Sequence, residues 1–210
     1  IDTYQRLKKI GPRVNPVVSI TVNHENCENI EKIFKYLTTE RDVYSIKCTI
    51  VRDEGVYKTP DNKKQKIFQA YSWLTSKINE LQKKGKLNNY NRGSLQGKLH
   101  NQKDKISWDL IKKMYLKPKY ISPCHAGSLF GIVTAKGLVY PCEILEDKVI
   151  GNLREHDMNF MKIWQSSTAK KTKDFILKTN CNCSYECALT YNILGNWRYQ
   201  PSLISSILKF

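Results

Sequence analysis

The distribution of the cysteines constrains this chain more than any other feature of its sequence. Seven cysteines occur in 210 residues, and five of them follow residue 120: Cys124, Cys142, Cys181, Cys183 and Cys187. An odd number of cysteines without an apolar leader indicates reduced thiols rather than disulfides. Clustered thiols in a reducing compartment bind metal more often than they form crosslinks. We therefore expect a metal centre in the last part of the chain.

A predicted β-hairpin lies between the first two of these cysteines. Residues 130–134 and 138–140 have strand character, and Gly137 supplies the positive φ of a tight turn. Because a hairpin returns its two ends to the same place, Cys124 and Cys142 should be neighbours.

The pattern Cys181-x-Cys183-x-x-x-Cys187 offers three more thiols, of which two or three can face the first pair. The residues predict a four-cysteine pocket and leave zinc, an iron–sulfur cluster and buried thiols without metal as alternatives.

The first part of the chain has the pattern of an α/β protein. Residues 17–22 and 43–51 have strand character, and residues 28–37 between them predict a helix with Asn26 at its N-cap. Strand, helix and strand at this spacing indicate a parallel crossover unit over residues 1–58.

The middle of the chain, residues 59–118, is expected to be a helical connection. One apolar face repeats at helical spacing and the helix should end at Gly85; this face contains Ile67, Tyr71, Leu74, Ile78 and Leu81. The polar stretch 88–105 predicts an irregular connection, and residues 108–116 predict a second helix. In the last part, residues 119–210, we expect a turn at 150–153, a helix capped by Asp157 and a further helix over 169–177.

The charge of the chain invites a nucleic-acid interpretation. Its 35 Lys and Arg residues against 19 Asp and Glu give a formal charge of +16. The lysines are spread along the chain and are not interleaved with aromatic residues as in a stacking platform, so a lysine-rich solvated surface is favoured. We keep a basic, zinc-ribbon-like nucleic-acid-binding module as the alternative function, and we expect no nucleic-acid partner.

The apolar segments bear on the cellular location of the protein, and the first residue bears on whether the sequence is a segment of a longer one. The longest apolar stretch, residues 16–22, is too short to span a membrane, so we expect a soluble, cytoplasmic protein without a membrane partner. The sequence opens at Ile1 rather than at a methionine, which is typical of a segment cut from a longer protein.

At the cysteines the sequence resembles a known family. The spacing Cys124-x12-Gly137-x4-Cys142 is similar to the opening motif of SPASM and twitch domains, the auxiliary-cluster extensions of radical SAM enzymes. The surrounding segments fit as well: residues 124–127, 137–143, 150–154 and 163–164. The resemblance is strong over residues 120–195 and weaker over residues 1–58.

The resemblance implies an α/β fold. The C-terminal part of a partial (β/α) TIM-like barrel (1–58) and a helical connection (59–118) would precede a small α+β SPASM/twitch-like cluster-binding domain with a β-hairpin (119–210). It also implies an auxiliary 4Fe-4S cluster. Four cysteines would be the metal ligands, and the resemblance does not decide which four of the five late cysteines they are: Cys124, Cys142, Cys181, Cys183 and Cys187. The short cysteine ending departs from the full SPASM pattern, so a second auxiliary cluster is not expected.

The resemblance further implies a function. The auxiliary cluster would support substrate binding or electron transfer in the modification of a peptide, a protein or a small molecule. The reductant would be a protein such as flavodoxin or ferredoxin. S-adenosylmethionine and its own 4Fe-4S cluster would bind a Cys-x-x-x-Cys-x-x-Cys loop that this sequence lacks. They are therefore expected only in a full-length protein, and this chain alone should be inactive.

A few other residues have candidate roles. His125, next to a predicted ligand, is expected to hydrogen-bond near the cluster rather than to ligate it. His24 is expected to be a loop or capping residue, and Arg52 with Asp53 could face a cofactor cavity or form a surface ion pair. We expect Cys27 and Cys48 to be single thiols outside the metal site.

Overall fold

The computed structural model describes residues 1–11, 14–52, 59–90 and 93–208. The chain forms two compact units, which we call the larger unit (residues 1–117 and 201–210) and the cysteine unit (residues 118–200). The roles predicted for 1–58, 59–118 and 119–210 stay predictions, and residues 53–58 with Asp53 lie outside the described residues.

The first part of the larger unit contains the predicted parallel strand–helix–strand element, which follows a short helix. Helix α1 is Asp2–Lys8, strand β1 is Val18–Val22, helix α2 is Ile30–Lys35 with a π-helical continuation Tyr36–Glu40, and strand β2 is Ile46–Ile50. β1 and β2 pair in parallel, from Val18 opposite Ile46 to Val22 opposite Ile50. The mixed helix–strand prediction is therefore confirmed. Within the described residues the larger unit contains these two strands, and the barrel stays a proposal.

The start of α2 differs from the prediction. Asn29, not Asn26, occupies the N-cap position. Asn26 instead closes the turn after β1: its Oδ1 accepts the backbone N–H of Asn23 at 2.9 Å and its Nδ2 donates to the carbonyl of Thr21 at 2.8 Å. A short amide side chain competes for backbone groups in this way, which delays the helix by about one turn.

Helix α3, Asp61–Lys83, confirms the helical pattern of the middle stretch. Four of the five predicted apolar positions are fully buried: Ile67, Tyr71, Leu74 and Ile78. The helix ends at Gly85 (φ +73°), where the backbone N–H of Gly85 bonds the carbonyl of Gln82 and that of Lys86 bonds the carbonyl of Leu81. These two bonds form the Schellman motif for which glycine is preferred.

Helix α4, Leu95–Met114, shows that the irregular connection predicted for 88–105 is wrong in its second half, and that the second helix starts well before residue 108. The hydroxyl of Ser94 caps the helix by accepting the N–H of Gly97 at 2.9 Å. The buried face of this part of α4 is polar and includes Asn101, Lys103 and Asp104. Lys103 and Asp104 form a buried ion pair, so burial here does not follow hydrophobicity.

The cysteine unit is built on a small antiparallel sheet. Strands β3 (Ile132–Val133) and β4 (Leu138–Tyr140) form the predicted hairpin, with Gly137 at φ +86° in its turn. Gly131, just before β3, lies so close to Trp164 that a Cβ there would be 2.7 Å from the ring. The absence of a side chain at this position lets the hairpin rest on the tryptophan.

The stretch after the hairpin corrects two predictions. The turn expected at 150–153 contains a third strand, β5 (Gly151–Asn152), which pairs with β4 and leads into a 3-10 turn, Leu153–Glu155. Asn159, not Asp157, caps the next helix, and Asp157 has a left-handed backbone with φ 52°.

Within the described residues, five helical elements follow. They are α5 (Phe160–Trp164), α6 (Ser167–Lys178), α7 (Glu186–Leu194), a 3-10 turn (Trp197–Tyr199) and α8 (Gln200–Leu208). Helix α6 confirms the helix predicted over 169–177. None of the helices in the described ranges combines the length and the apolar composition that crossing a membrane requires.

A buried amide network holds β2 against α3 and α4. Asn89, 2% exposed, accepts the backbone N–H of Ile46 at 3.0 Å through Oδ1 and donates Nδ2 to the carbonyl of Ile46 at 2.6 Å. Its own carbonyl accepts Nδ2 of Asn101 at 3.1 Å, and Oδ1 of Asn101 accepts Nε2 of Gln82 at 3.1 Å. The Asn89 side chain thus bonds one residue of β2 as a neighbouring strand would.

We predict that Asn89→Ala destabilises the larger unit. The substitution leaves a buried N–H and a buried C=O of Ile46 without these partners, at a cost of about 2–4 kcal/mol in the free energy of unfolding. Urea unfolding followed by circular dichroism measures the change. Asn62→Ala, at an exposed position of α3, is the control and should change the free energy by less than about 0.5 kcal/mol. Equal effects of the two substitutions would contradict the role of the network.

Candidate metal centre

The hairpin brings the first two cysteines into one apolar pocket. Cys124 lies before the hairpin and Cys142 follows it, and the two side chains are 8% and 6% exposed. Before β3, the chain turns at Gly127 (φ +72°), whose backbone N–H bonds the carbonyl of Phe130 at 2.9 Å. The two cysteines share a cluster with Ala126 and Ile176, against which Phe130, Ile144, Leu145 and Cys181 pack.

The end of α6 brings the third cysteine to the same pocket. Thr179 is the C-cap, and Asn180 after it adopts a left-handed backbone with φ 50°. The N–H of Cys181 then bonds the carbonyl of Ile176 at 3.1 Å, and that of Asn180 bonds the carbonyl of Leu177 at 3.2 Å. This is again a Schellman motif, with asparagine in the position that usually holds glycine. Cys181 then packs against the cluster that contains Ile176.

Two of these three thiols are hydrogen-bonded to each other. Cys181 hydrogen-bonds to the sulfur of Cys124, which lowers the pKa of Cys124 and raises that of Cys181. The backbone N–H of Ala126 and the side chain of Asn192 also bond to Cys124 and lower its pKa further, against the opposing effect of burial. Hydrogen bonds of this kind stabilise the thiolate, which is the form that binds metal.

The environment of Cys142 is similar in kind. Burial raises the pKa of this thiol, and the backbone N–H groups of Leu145 and Ile144, which bond to the sulfur, partly oppose the increase. The sulfur of Cys142 therefore lies in an apolar pocket with two amide donors already in place. Such a pocket suits a sulfur whose negative charge a metal neutralises.

The last two cysteines occupy different surroundings. Cys183 is half-buried and close enough to Cys181 to raise its pKa, as do Cys124 and Cys142. Cys187 is exposed, and its contact is with the hydroxyl of Tyr185, which also bonds Glu143. Burial, followed by these two hydrogen bonds, raises the pKa of Tyr185. The structure thus places Cys124, Cys142 and Cys181 in one cluster with Cys183 near Cys181, and it places Cys187 with Tyr185.

The surroundings of the sulfurs bear on the kind of centre they could hold. Within the described part of the chain, no group of three or more histidine, cysteine or carboxylate side chains is arranged to hold a metal ion. An iron–sulfur cluster binds each of its thiolate ligands through iron. Thiols in an apolar pocket with amide donors to sulfur are the surroundings such clusters use.

The other predicted residues lie as follows. The backbone N–H of His125 donates to Oδ1 of Asn192 at 2.7 Å. Cys27 and Cys48 are buried in the larger unit, and the sulfur of Cys27 donates to the carbonyl of His24 at 3.7 Å. His24 itself is exposed and Arg52 is half-buried.

Sequence reasoning missed Asn192. It lies on α7 and is 6% exposed among apolar neighbours that include Leu189 and Ile193. The available signal was a single amide residue on the apolar face of a short helix, at helical spacing from Leu189. A polar residue in that position must find partners inside the protein.

Comparison with known proteins identifies a cluster-binding domain in the same part of the chain. Residues 124–188 match the family model of SPASM, an iron-sulfur cluster-binding domain, and this range contains all five late cysteines. A search of curated proteins found no match. The resemblance seen in the sequence is confirmed. The chain carries a SPASM iron–sulfur cluster-binding domain over residues 124–188, which is consistent with the C-terminal SPASM domain of a radical SAM protein.

Proposed function

We propose that the cysteine unit binds an auxiliary 4Fe-4S cluster and that the chain is the C-terminal part of a radical SAM enzyme. The observation that carries this proposal is the packing of three thiols from separate segments in one apolar cluster, with a fourth thiol, Cys183, near one of them. Cys124 and Cys142 come from the two sides of the hairpin, and Cys181 with Cys183 come from the segment after α6.

These residues have distinct roles in the proposal. Cys124, Cys142, Cys181 and Cys183 hold the cluster, while Cys187 is the fifth candidate and the one most accessible to solvent. Ile176, Phe130 and Leu145 exclude water from the sulfurs. When bound, the cluster supplies electron transfer or a point of attachment for substrate.

The proposal extends to the partners of a longer protein. The parallel β1–α2–β2 element suits the late part of a (β/α) barrel. In the full-length enzyme we place S-adenosylmethionine, with its own 4Fe-4S cluster, on a Cys-x-x-x-Cys-x-x-Cys loop. The substrate would be a peptide, a protein or a small molecule, and the reductant a flavodoxin or ferredoxin in the cytoplasm. The net charge of +16 would attract an acidic reductant or an acidic substrate.

The first prediction of this proposal concerns metal identity. The 210-residue chain, purified without oxygen or reconstituted with iron and sulfide, should be brown and contain iron and acid-labile sulfide. Elemental analysis and the visible absorption spectrum measure this. Colourless protein that contains one equivalent of zinc and excludes iron would overturn the proposal in favour of a zinc module.

A second prediction concerns the ligands. Cys124→Ala, Cys142→Ala and Cys181→Ala should each reduce the iron content at least about tenfold, because each removes a thiolate from the pocket. Cys187→Ala should retain most of the iron. Iron and sulfide are measured per protein after identical reconstitution.

Two comparisons give this experiment its controls. Cys27→Ala removes a buried thiol of the larger unit and should leave the iron content unchanged. If it loses iron as Cys124→Ala does, the loss reports unfolding and the ligand assignment fails. If Cys187→Ala loses iron and Cys183→Ala keeps it, Cys187 replaces Cys183 as a ligand.

A third prediction concerns catalysis. With S-adenosylmethionine and dithionite, the chain should form no 5′-deoxyadenosine above background, because reductive cleavage needs an iron that no cysteine occupies. That iron is normally provided by the three-cysteine loop, which this sequence lacks. Chromatographic assay of the product tests this. Product that disappears in Cys181→Ala would show that the late cysteines form the catalytic cluster rather than an auxiliary one.

A further inference from the structure

Asn192 is a buried amide in contact with the cysteine pocket. It lies in the middle of α7, is 6% exposed and is flanked on the buried face by apolar residues such as Leu189 and Ile193. An amide in such surroundings costs stability unless its oxygen and its nitrogen both find partners. Both partners of Asn192 come from the segment that begins at Cys124.

The orientation of the Asn192 amide is determined by its two contacts. The backbone N–H of His125 is a donor only, so the atom that it contacts at 2.7 Å is the oxygen Oδ1. The amide nitrogen Nδ2 is then the atom available to Cys124, and the side chain of Asn192 hydrogen-bonds to that sulfur. The bond from His125 therefore directs an N–H toward Cys124.

This contact can persist when metal binds, while the bond from Cys181 cannot. The sulfur of Cys124 has three donors: the thiol of Cys181, the backbone N–H of Ala126 and the amide of Asn192. Metal binding removes the proton of a ligand thiol, so the donor role of Cys181 ends when it becomes a ligand. The amide groups keep their protons. Of the two that remain, only the amide of Asn192 belongs to a side chain.

We propose that Asn192 is a positioning residue that holds Cys124 and raises the reduction potential of the bound cluster by donating its side-chain N–H to the Cys124 sulfur. This inference rests on the proposed auxiliary cluster and extends it to a residue that is not a ligand. Reduction adds negative charge that is shared with the sulfurs, so a donor to sulfur stabilises the reduced state more than the oxidised one. Removing the donor makes reduction harder.

Two substitutions separate the N–H from the shape of the side chain. Asn192→Asp keeps the size of the side chain and the oxygen that accepts from His125, but it replaces the N–H with a second carboxylate oxygen. Asn192→Leu removes both polar groups at similar volume. Asn159→Asp is the matched control, because it makes the same change of charge elsewhere in the cysteine unit. Asn159 is an exposed N-cap residue whose Oδ1 accepts the backbone N–H of Lys162 at 3.2 Å.

The experiment compares reduction midpoints of the reconstituted 210-residue chain and its variants, by a redox titration followed by electron paramagnetic resonance. Asn192→Leu should lower the ratio of reduced to oxidised cluster about tenfold at a fixed potential, equivalent to about 59 mV for one electron. Asn192→Asp should shift it at least as far in the same direction, because a negative charge faces the sulfur. Asn159→Asp should shift it by less than half of that.

The possible results separate this inference from the proposed function. Wild-type protein that binds no iron–sulfur cluster would overturn both. A wild-type cluster whose midpoint is unchanged in both Asn192 variants would overturn the inference and leave the proposed function standing. If Asn192→Asp assembles no cluster while its apoprotein melts at the wild-type temperature, the result supports a need for the N–H at Cys124. A lowered melting temperature of that apoprotein would assign Asn192 a structural role and overturn the inference.

Discussion

The cost of burying sulfur atoms that must become negatively charged determines how the cysteine unit is built. Cys124 and Cys142 lie in an apolar pocket, where an isolated thiolate would be strongly disfavoured. The surrounding chain provides amide donors: Ala126 and Asn192 at Cys124, and Ile144 and Leu145 at Cys142. Three of these four donors (Ala126, Ile144 and Leu145) also belong to the apolar wall, so the pocket can exclude water and still accept thiolates.

The arrangement depends on three turns with left-handed residues. Gly127 and Gly137 shape the hairpin segment between the first two cysteines, and Asn180 reverses the chain after α6 so that Cys181 returns to Ile176. The glycines adopt these angles without steric cost, and asparagine is among the few other residues that tolerate them. Each turn lies within a few residues of a cysteine. The positions of the sulfurs are therefore set mainly by local backbone geometry rather than by long loops.

Much of the fold could be predicted because the sequence signals for its elements were local. The hairpin was visible in two strand-like runs around Gly137, the parallel element in two apolar strands around a helix, and α3 in the spacing of its apolar residues. The first part of helix α4, before residue 108, was missed because its buried face contains paired polar groups, so hydrophobic periodicity gave no signal. β5 was missed because two residues, Gly151 and Asn152, are too few to show alternation.

The features of the candidate metal site that the sequence did not predict have a different physical origin. Five cysteines in the sequence looked equivalent, and only the fold shows that Cys187 lies beside Tyr185 while Cys124, Cys142 and Cys181 share one cluster with Cys183 near Cys181. Asn192 follows Cys124 by 68 residues, and a contact over that separation leaves no trace in a local pattern. Contacts of this kind depend on how α7 packs against the hairpin segment, which is a property of the tertiary structure.

The positions of the proposed ligands bear on how cluster binding and cleavage of S-adenosylmethionine would be related in the proposed enzyme. All five candidate cysteines lie in the cysteine unit, which has its own apolar clusters and its own amide donors to sulfur. None of these five cysteines belongs to the β1–α2–β2 element. Cleavage of S-adenosylmethionine would instead require a cysteine loop that this sequence does not contain. The proposed auxiliary cluster and the proposed radical chemistry would therefore depend on different cysteines: the first on those within residues 118–200, and the second on a three-cysteine loop.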